Sequence, residues 1–286
     1  MVCIIFLSIC RMAEAQIVER LQNAGMENIR YAESDEEVTV CFENNVYRSI
    51  YAGIGKAIDA CLEESGNEKD VHLVALENHV PRLCIDLPKE LLKDYQSGNI
   101  SRKGVYERMG ISVDTDNAMK ALRGSGRTIN PSAWKMDVVV YPELFLKNTS
   151  FNKLYTYAVS LSPALEMGLW KGGKLTAQVV FPIATNLYGE YKKIHPGVMT
   201  LSQEVRLKHN IFGRITAGNF THNRMGVQWE MKYRTNNGRL ELGALAGSTV
   251  YSGVVDGEGW YISTRQRVNA AIRASVSVSY THLRAH

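Results

Sequence analysis

Long hydrophobic runs are missing from this 286-residue sequence. No stretch approaches the roughly 18 apolar residues that a membrane-spanning helix needs, but a spanning β-strand needs only about 9–11, so a membrane barrel stays open. Charge of one sign is scarce too. The chain has 33 Lys and Arg against 29 Asp and Glu, a formal net charge of +4 that is spread out. That balance makes no case for a nucleic-acid partner. Cysteine is sparse, with five residues and no Cys-x-x-Cys or Cys/His spacing of a zinc site, so neither metal nor cofactor is expected. Arg123-Gly124-Ser125-Gly126-Arg127 lacks the Gly-Lys-Ser/Thr ending of a phosphate loop and reads as a linker. What remains, 45% hydrophobic and 22% charged residues, suits one large or two modest domains.

Both ends of the chain read as something other than fold. Val2–Cys10 is an apolar core too short to span, and Ala13-Glu14-Ala15 is a small-x-small cleavage signature before Gln16. Residues 1–15 are therefore expected to be a signal peptide, with a buried first strand as the alternative. Cleavage would leave Cys41, Cys61 and Cys84, which allow at most one bridge; single buried thiols are the simpler expectation. At the other end, residues 278–286 match the translation of a sequencing-library transposon adapter. His282 and His286 are therefore set aside, and the natural chain is expected to continue past Ser277.

Between these ends the pattern changes once. Residues 16–130 alternate helices (Gln16–Ala24, Tyr51–Glu64, Pro88–Tyr95, Lys103–Met109) with short strands (Asn28–Ala32, Val38–Phe42, Val71–Glu77, Arg82–Leu87). The order predicts a small α+β domain with a helical linker. From Trp134 the helical period disappears. Tyr155–Trp170 sets the new rule: Tyr155, Tyr157, Val159, Leu161, Pro163, Leu165, Met167 and Leu169 alternate with mostly small or polar residues. A period of two held for this long means one extended strand with an apolar face and a polar one. Met136–Leu146, Leu175–Ile183, Met199–Lys208, Phe212–Phe220, Met225–Arg234, Leu240–Ala246, Trp260–Ile262 and Val268–Val276 complete an antiparallel meander over residues 131–277. Asn236-Asn237-Gly238 is read as a tight hairpin turn.

Alternation alone does not separate a soluble sandwich from a lipid-facing barrel. Charge placement does. A Lys or Arg facing mid-bilayer costs about 2–4 kcal/mol, and the apolar faces of 155–169, 175–183 and 225–233 carry none. Glu204, Arg206 and Lys208 share one strand face, as do Arg224, Glu230, Lys232 and Arg234; all seven are expected to face a lumen, with Arg224 pairing Glu204 or Glu230. Aromatic residues gather towards strand ends, as interfacial girdles do. Gly213, Gly218 and Gly226 are read as bending or close-approach points. The expected fold is mainly β, an incomplete antiparallel transmembrane β-barrel preceded by a small α+β periplasmic domain.

Ser202-Gln203, Ala217-Gly218-Asn219-Phe220, Asn223-Arg224-Met225-Gly226-Val227, Glu230 and Tyr233 resemble the barrel motif of the YjbH/GfcD family, outer-membrane proteins of exopolysaccharide and group 4 capsule loci. The likeness covers residues 134–276. It implies a non-enzymatic role in polysaccharide export or surface assembly, with outer-membrane lipid, a polysaccharide and other proteins of the system as partners, and the amino-terminal domain in the periplasm. Two alternatives stand beside it. One is a general outer-membrane pore without a glycan role. The other is a lipid hydrolase, whose candidate bases His195, His209 and His222 lie near loops without a nucleophile signature.

Overall fold

The computed structural model describes residues 16–64, 68–148, 155–187, 192–221, 223–255 and 259–277. The expected signal peptide, Tyr188, Tyr191, His222 and the tail 278–286 lie outside the described residues. Among the described residues the fold is mainly β, 58% strand and 18% helix. It forms two sheets, one of five strands and one of eight.

The amino-terminal sheet runs β1 (Glu27–Glu33), β2 (Glu37–Glu43), β3 (Asp70–Glu77), β4 (Val80–Leu87) and β5 (Gly110–Ser112) in spatial order. Neighbours are antiparallel except β2 and β3, which pair in parallel because α2 (Ile50–Glu64) carries the chain back between them. One face packs on α1 (16–23), α2, α3 (Lys89–Gln96) and α4 (Arg102–Arg108) through Ile17, Leu21, Ile58, Leu73, Leu92 and Val105. Gly25 closes α1 with φ of 79°, as Met26 N donates to Leu21 O and Gly25 N to Gln22 O. The other face carries a smaller cluster of Cys41, Val74, Cys84 and Leu122, under α5 (Asp116–Ala121). Both α5 and β5 escaped the sequence reading. They are short and held by contacts distant in the chain rather than by local period. Cys41, Cys61 and Cys84 are buried thiols.

The second sheet is an uninterrupted antiparallel meander: β6 (Met136–Asn148), β7 (Tyr155–Trp170), β8 (Gly173–Thr185), β9 (His195–Arg206), β10 (Ile211–Thr221), β11 (Arg224–Arg234), β12 (Leu240–Val255) and β13 (Gly259–Val276). The sheet is open, with β6 and β13 at its edges and no closed barrel among the described residues. β7 has the bounds its alternation predicts. β12 runs well beyond the expected Leu240–Ala246, and the two strands expected at Trp260–Ile262 and Val268–Val276 are one continuous β13. The connections do not alternate between tight and longer, since two residues separate β7 from β8 at one end of the sheet and β10 from β11 at the other.

Two of the three singled-out glycines answer to close approach. At Gly226 an added Cβ would run into the carbonyl oxygen of Ser248, and at Gly218 (φ +133°) into that of Met199. Gly213 has only the Val205 side chain at 3.5 Å, an ordinary contact, so nothing there demands glycine. Gly218→Ala is expected to destabilise the chain by about 1–3 kcal/mol through backbone strain, while Gly213→Ala stays within about 1 kcal/mol. Urea midpoints of the two variants, compared with the parent, check this.

Candidate functional site

Strand register sorts the eight-stranded sheet into two chemically opposite faces. Cross-strand partners share a face, so Val138, Leu165, Ala177, Met199, Ala217 and Val227 lie on one side with their neighbours two residues away. Following that face to β13 adds Ser248 and Val268, then Ala244 and Ile272. Among the described residues, no Asp, Glu, Lys or Arg occurs on this face of β6 to β13. It is also the exposed side: Val138 is 71% and Ile272 91% accessible, whereas Ser162 on the opposite side of β7 is 0%. Soluble monomers seldom expose contiguous apolar area beyond a few hundred Å².

The ionisable side chains occupy the other face. On it the amino-terminal module docks at one end, against the turns 171–172, 207–210 and 235–239. Gly172 N donates to Asn78 O at 2.9 Å, and Val113 N to Asn236 O at 2.7 Å. The tip of the β3–β4 hairpin thereby brings Arg82 onto Glu204. One guanidinium nitrogen of Arg82 meets Glu204 Oε1, Nη2 donates to Oε2 at 2.8 Å, and Nε lies 2.8 Å from Glu77 Oε2. Arg214 Nη2 donates to the same Glu204 Oε2 at 3.0 Å. Glu204 is only 6% exposed, so two arginines hold a buried carboxylate. Although burial pulls the Arg82 guanidinium down, its bonds to Glu204 and Glu77 prevail and hold it above its ordinary range.

Around this pair sit the other candidates. Arg206 donates to Pro81 O at 2.9 Å, Val113 O at 2.7 Å and Asn210 Oδ1 at 2.8 Å, so carbonyl and amide oxygens of the junction receive its charge. Phe212, itself buried, has the guanidinium carbons of Arg206, Arg82 and Arg234 at 5.2, 5.4 and 5.8 Å from its ring centre. Glu230 pairs with Lys232 at 3.1 Å, and Arg234 Nε with Glu241 at 2.5 Å. Arg82, Glu204, Phe212, Arg214, Glu230 and Lys232 are among the residues lining a cavity of about 180 Å³.

Two expectations need correction. Lys208 lies past the end of β9, exposed in the turn, and does not share the face of Glu204 and Arg206. Arg224 opens β11 opposite Tyr251, six residues and about 20 Å of strand from Glu230, and still farther from Glu204. Its expected pairing is removed. The partner of Glu204 comes instead from Arg82, 122 residues earlier, which no local pattern signals. Asn219 gains a role as well. After the positive φ of Gly218 the alternation slips, and the buried Asn219 donates to Gly197 O at 2.7 Å and accepts from Ser252 Oγ at 3.1 Å. Of the histidines weighed as bases, His195 starts β9 and His209 lies in the turn beyond it, at opposite ends of one strand.

The chain matches no family model, no curated protein and no solved structure.

Proposed function

We propose that this chain is a non-enzymatic outer-membrane protein acting in the export or surface assembly of an exopolysaccharide or capsule, with its eight-stranded sheet as barrel wall and its α+β module in the periplasm. The carrying observation is the exposed sheet face free of charged residues across eight strands, backed by a face that gathers Glu204, Arg214, Glu230, Lys232 and Arg234. Such a face belongs in lipid, where each misplaced cation costs about 2–4 kcal/mol. The module docks on the end with turns 171–172, 207–210 and 235–239, which suits the periplasmic rim of a barrel. On the inner side, Glu143, Phe145, Ser160, Gln178, His195 and Phe220 line a cavity of about 570 Å³. It mixes hydrogen-bonding groups with aromatic surface, as a sugar chain requires. The resemblance to the YjbH/GfcD family points to the same role.

Disruption of the gene in its own host, with membrane fractionation of the tagged protein, tests the reading. Recovery in the outer membrane and loss of surface polysaccharide are expected. A tagged protein found in the soluble periplasm would overturn the barrel. Unchanged polysaccharide would overturn the glycan role and favour a general pore.

A further inference from the structure

A second cluster lies on the α5-side face of the amino-terminal sheet. β3 and β4 pair so that His72 stands directly opposite Asp86, and Cys84, two residues before Asp86, projects from the same face. His72 Nδ1 and Asp86 Oδ1 are 2.6 Å apart, and Cys84 Sγ donates to Asp86 Oδ1 at 3.4 Å. One nitrogen, one sulfur and one oxygen thus fall within 4.8 Å of one another. Glu37, on the neighbouring β2, has Oε1 at 3.9 Å from the other ring nitrogen, His72 Nε2. A cavity of about 340 Å³ opens onto the group, between the sheet and Asp114, Asn117 and Ala118.

We propose that His72, Cys84 and Asp86 form a zinc-binding site, with His72 Nδ1, Cys84 Sγ and an Asp86 carboxylate oxygen as ligands, water in the fourth position, and Glu37 orienting His72 through Nε2. A thiolate excludes hard cations such as calcium and magnesium, and a mixed N, S, O set suits zinc. Bonds of about 2.0–2.3 Å in a tetrahedron separate ligand atoms by about 3.3–3.8 Å. The Cys84–Asp86 spacing already fits; Asp86 has to move about 1 Å from His72, and the His72–Cys84 pair, within 4.8 Å, has to stand about 3.5 Å apart. Binding releases the Cys84 thiol proton to solvent, and the proton between His72 Nδ1 and Asp86 leaves Nδ1, to Nε2 if the ring is neutral or to solvent if it is an imidazolium, so that two metal bonds replace that hydrogen bond. The cavity leaves room for the water, and a carboxylate on the far nitrogen of a ligating histidine is a recurring support for bound metal. A cysteine–histidine nucleophile pair is a poorer account, because the partner of the thiol is Asp86.

The test is titration of the reduced, chelator-treated full chain in detergent with Co²⁺ as spectroscopic stand-in, followed by displacement with Zn²⁺. One equivalent should bind, with the charge-transfer band of a thiolate–cobalt bond and tetrahedral ligand-field bands, both abolished by zinc. Cys84→Ser should remove the charge-transfer band, Glu37→Gln should weaken zinc by about 10–100-fold, and Cys41→Ser should change neither. A parent chain without the charge-transfer band overturns the site. So does a band that survives in Cys84→Ser. Circular dichroism of each variant confirms its fold, and the parent titration stands whether or not a variant folds.

Discussion

Replacing Arg82 with methionine is expected to loosen the amino-terminal module from the sheet by about 3 kcal/mol, the lower end of the cost of stripping one partner from a buried ion pair. The lower end applies because Arg214 still reaches Glu204 Oε2 at 3.0 Å after Arg82 is gone. The amides of Gly172 and Val113 donate across the junction and report its opening. Their hydrogen-exchange protection should fall about 100-fold, since each 1.4 kcal/mol is a factor of about ten. Pairing Arg82→Met with Glu204→Leu should restore most of that protection, because the double change leaves no buried charge unpaired. Arg82→Lys should not restore it, as an ammonium does not span both Glu204 oxygens and Glu77 as the guanidinium does. If junction amides in Arg82→Met exchange as in the parent, the ion pair does not hold the module.

The second large effect separates lipid from water. Val227 lies on the charge-free face near the middle of β11, and Gln228 beside it points to the polar side. In a chain folded into lipid vesicles, Val227→Arg should cost about 2–4 kcal/mol, and Gln228→Arg under about 1 kcal/mol. A soluble sheet would reverse the logic, because Val227 is already half exposed and an arginine there would be hydrated. Urea titration of both variants in vesicles decides between them, and equal midpoints would remove the bilayer from the account.

How far the sequence can be read depends on whether a feature is periodic or assembled. β7 was legible to its last residue because eight apolar side chains at odd positions admit no other register. The alternation of β12 fades after Ala246 because Gly247 and Ser248 are too small to register it, while pairing to β11 and β13 holds them extended. Likewise, Thr264 and Gln266 interrupt the apolar face between Trp260–Ile262 and Val268–Val276, which pairing to β12 joins into one strand. The candidate site divides in the same way. That Glu204 and Arg206 share a face follows from a period of two, whereas Arg82 reaches them only through the docking of a hairpin. The His72, Cys84 and Asp86 cluster is invisible to ligand spacing, because cross-strand pairing, not sequence distance, brings its atoms together.

The β3–β4 hairpin carries a mechanical consequence. Its strands are anchored at one end in the core of the five-stranded sheet, at Leu73 and Ile85, and its tip is pinned to the larger sheet through Asn78 and Arg82. A hydrogen-bonded strand pair resists bending along its length, so it behaves as a cantilever. Load applied to the module is delivered to the tip contacts, which makes the Arg82–Glu204 pair the fuse of the joint.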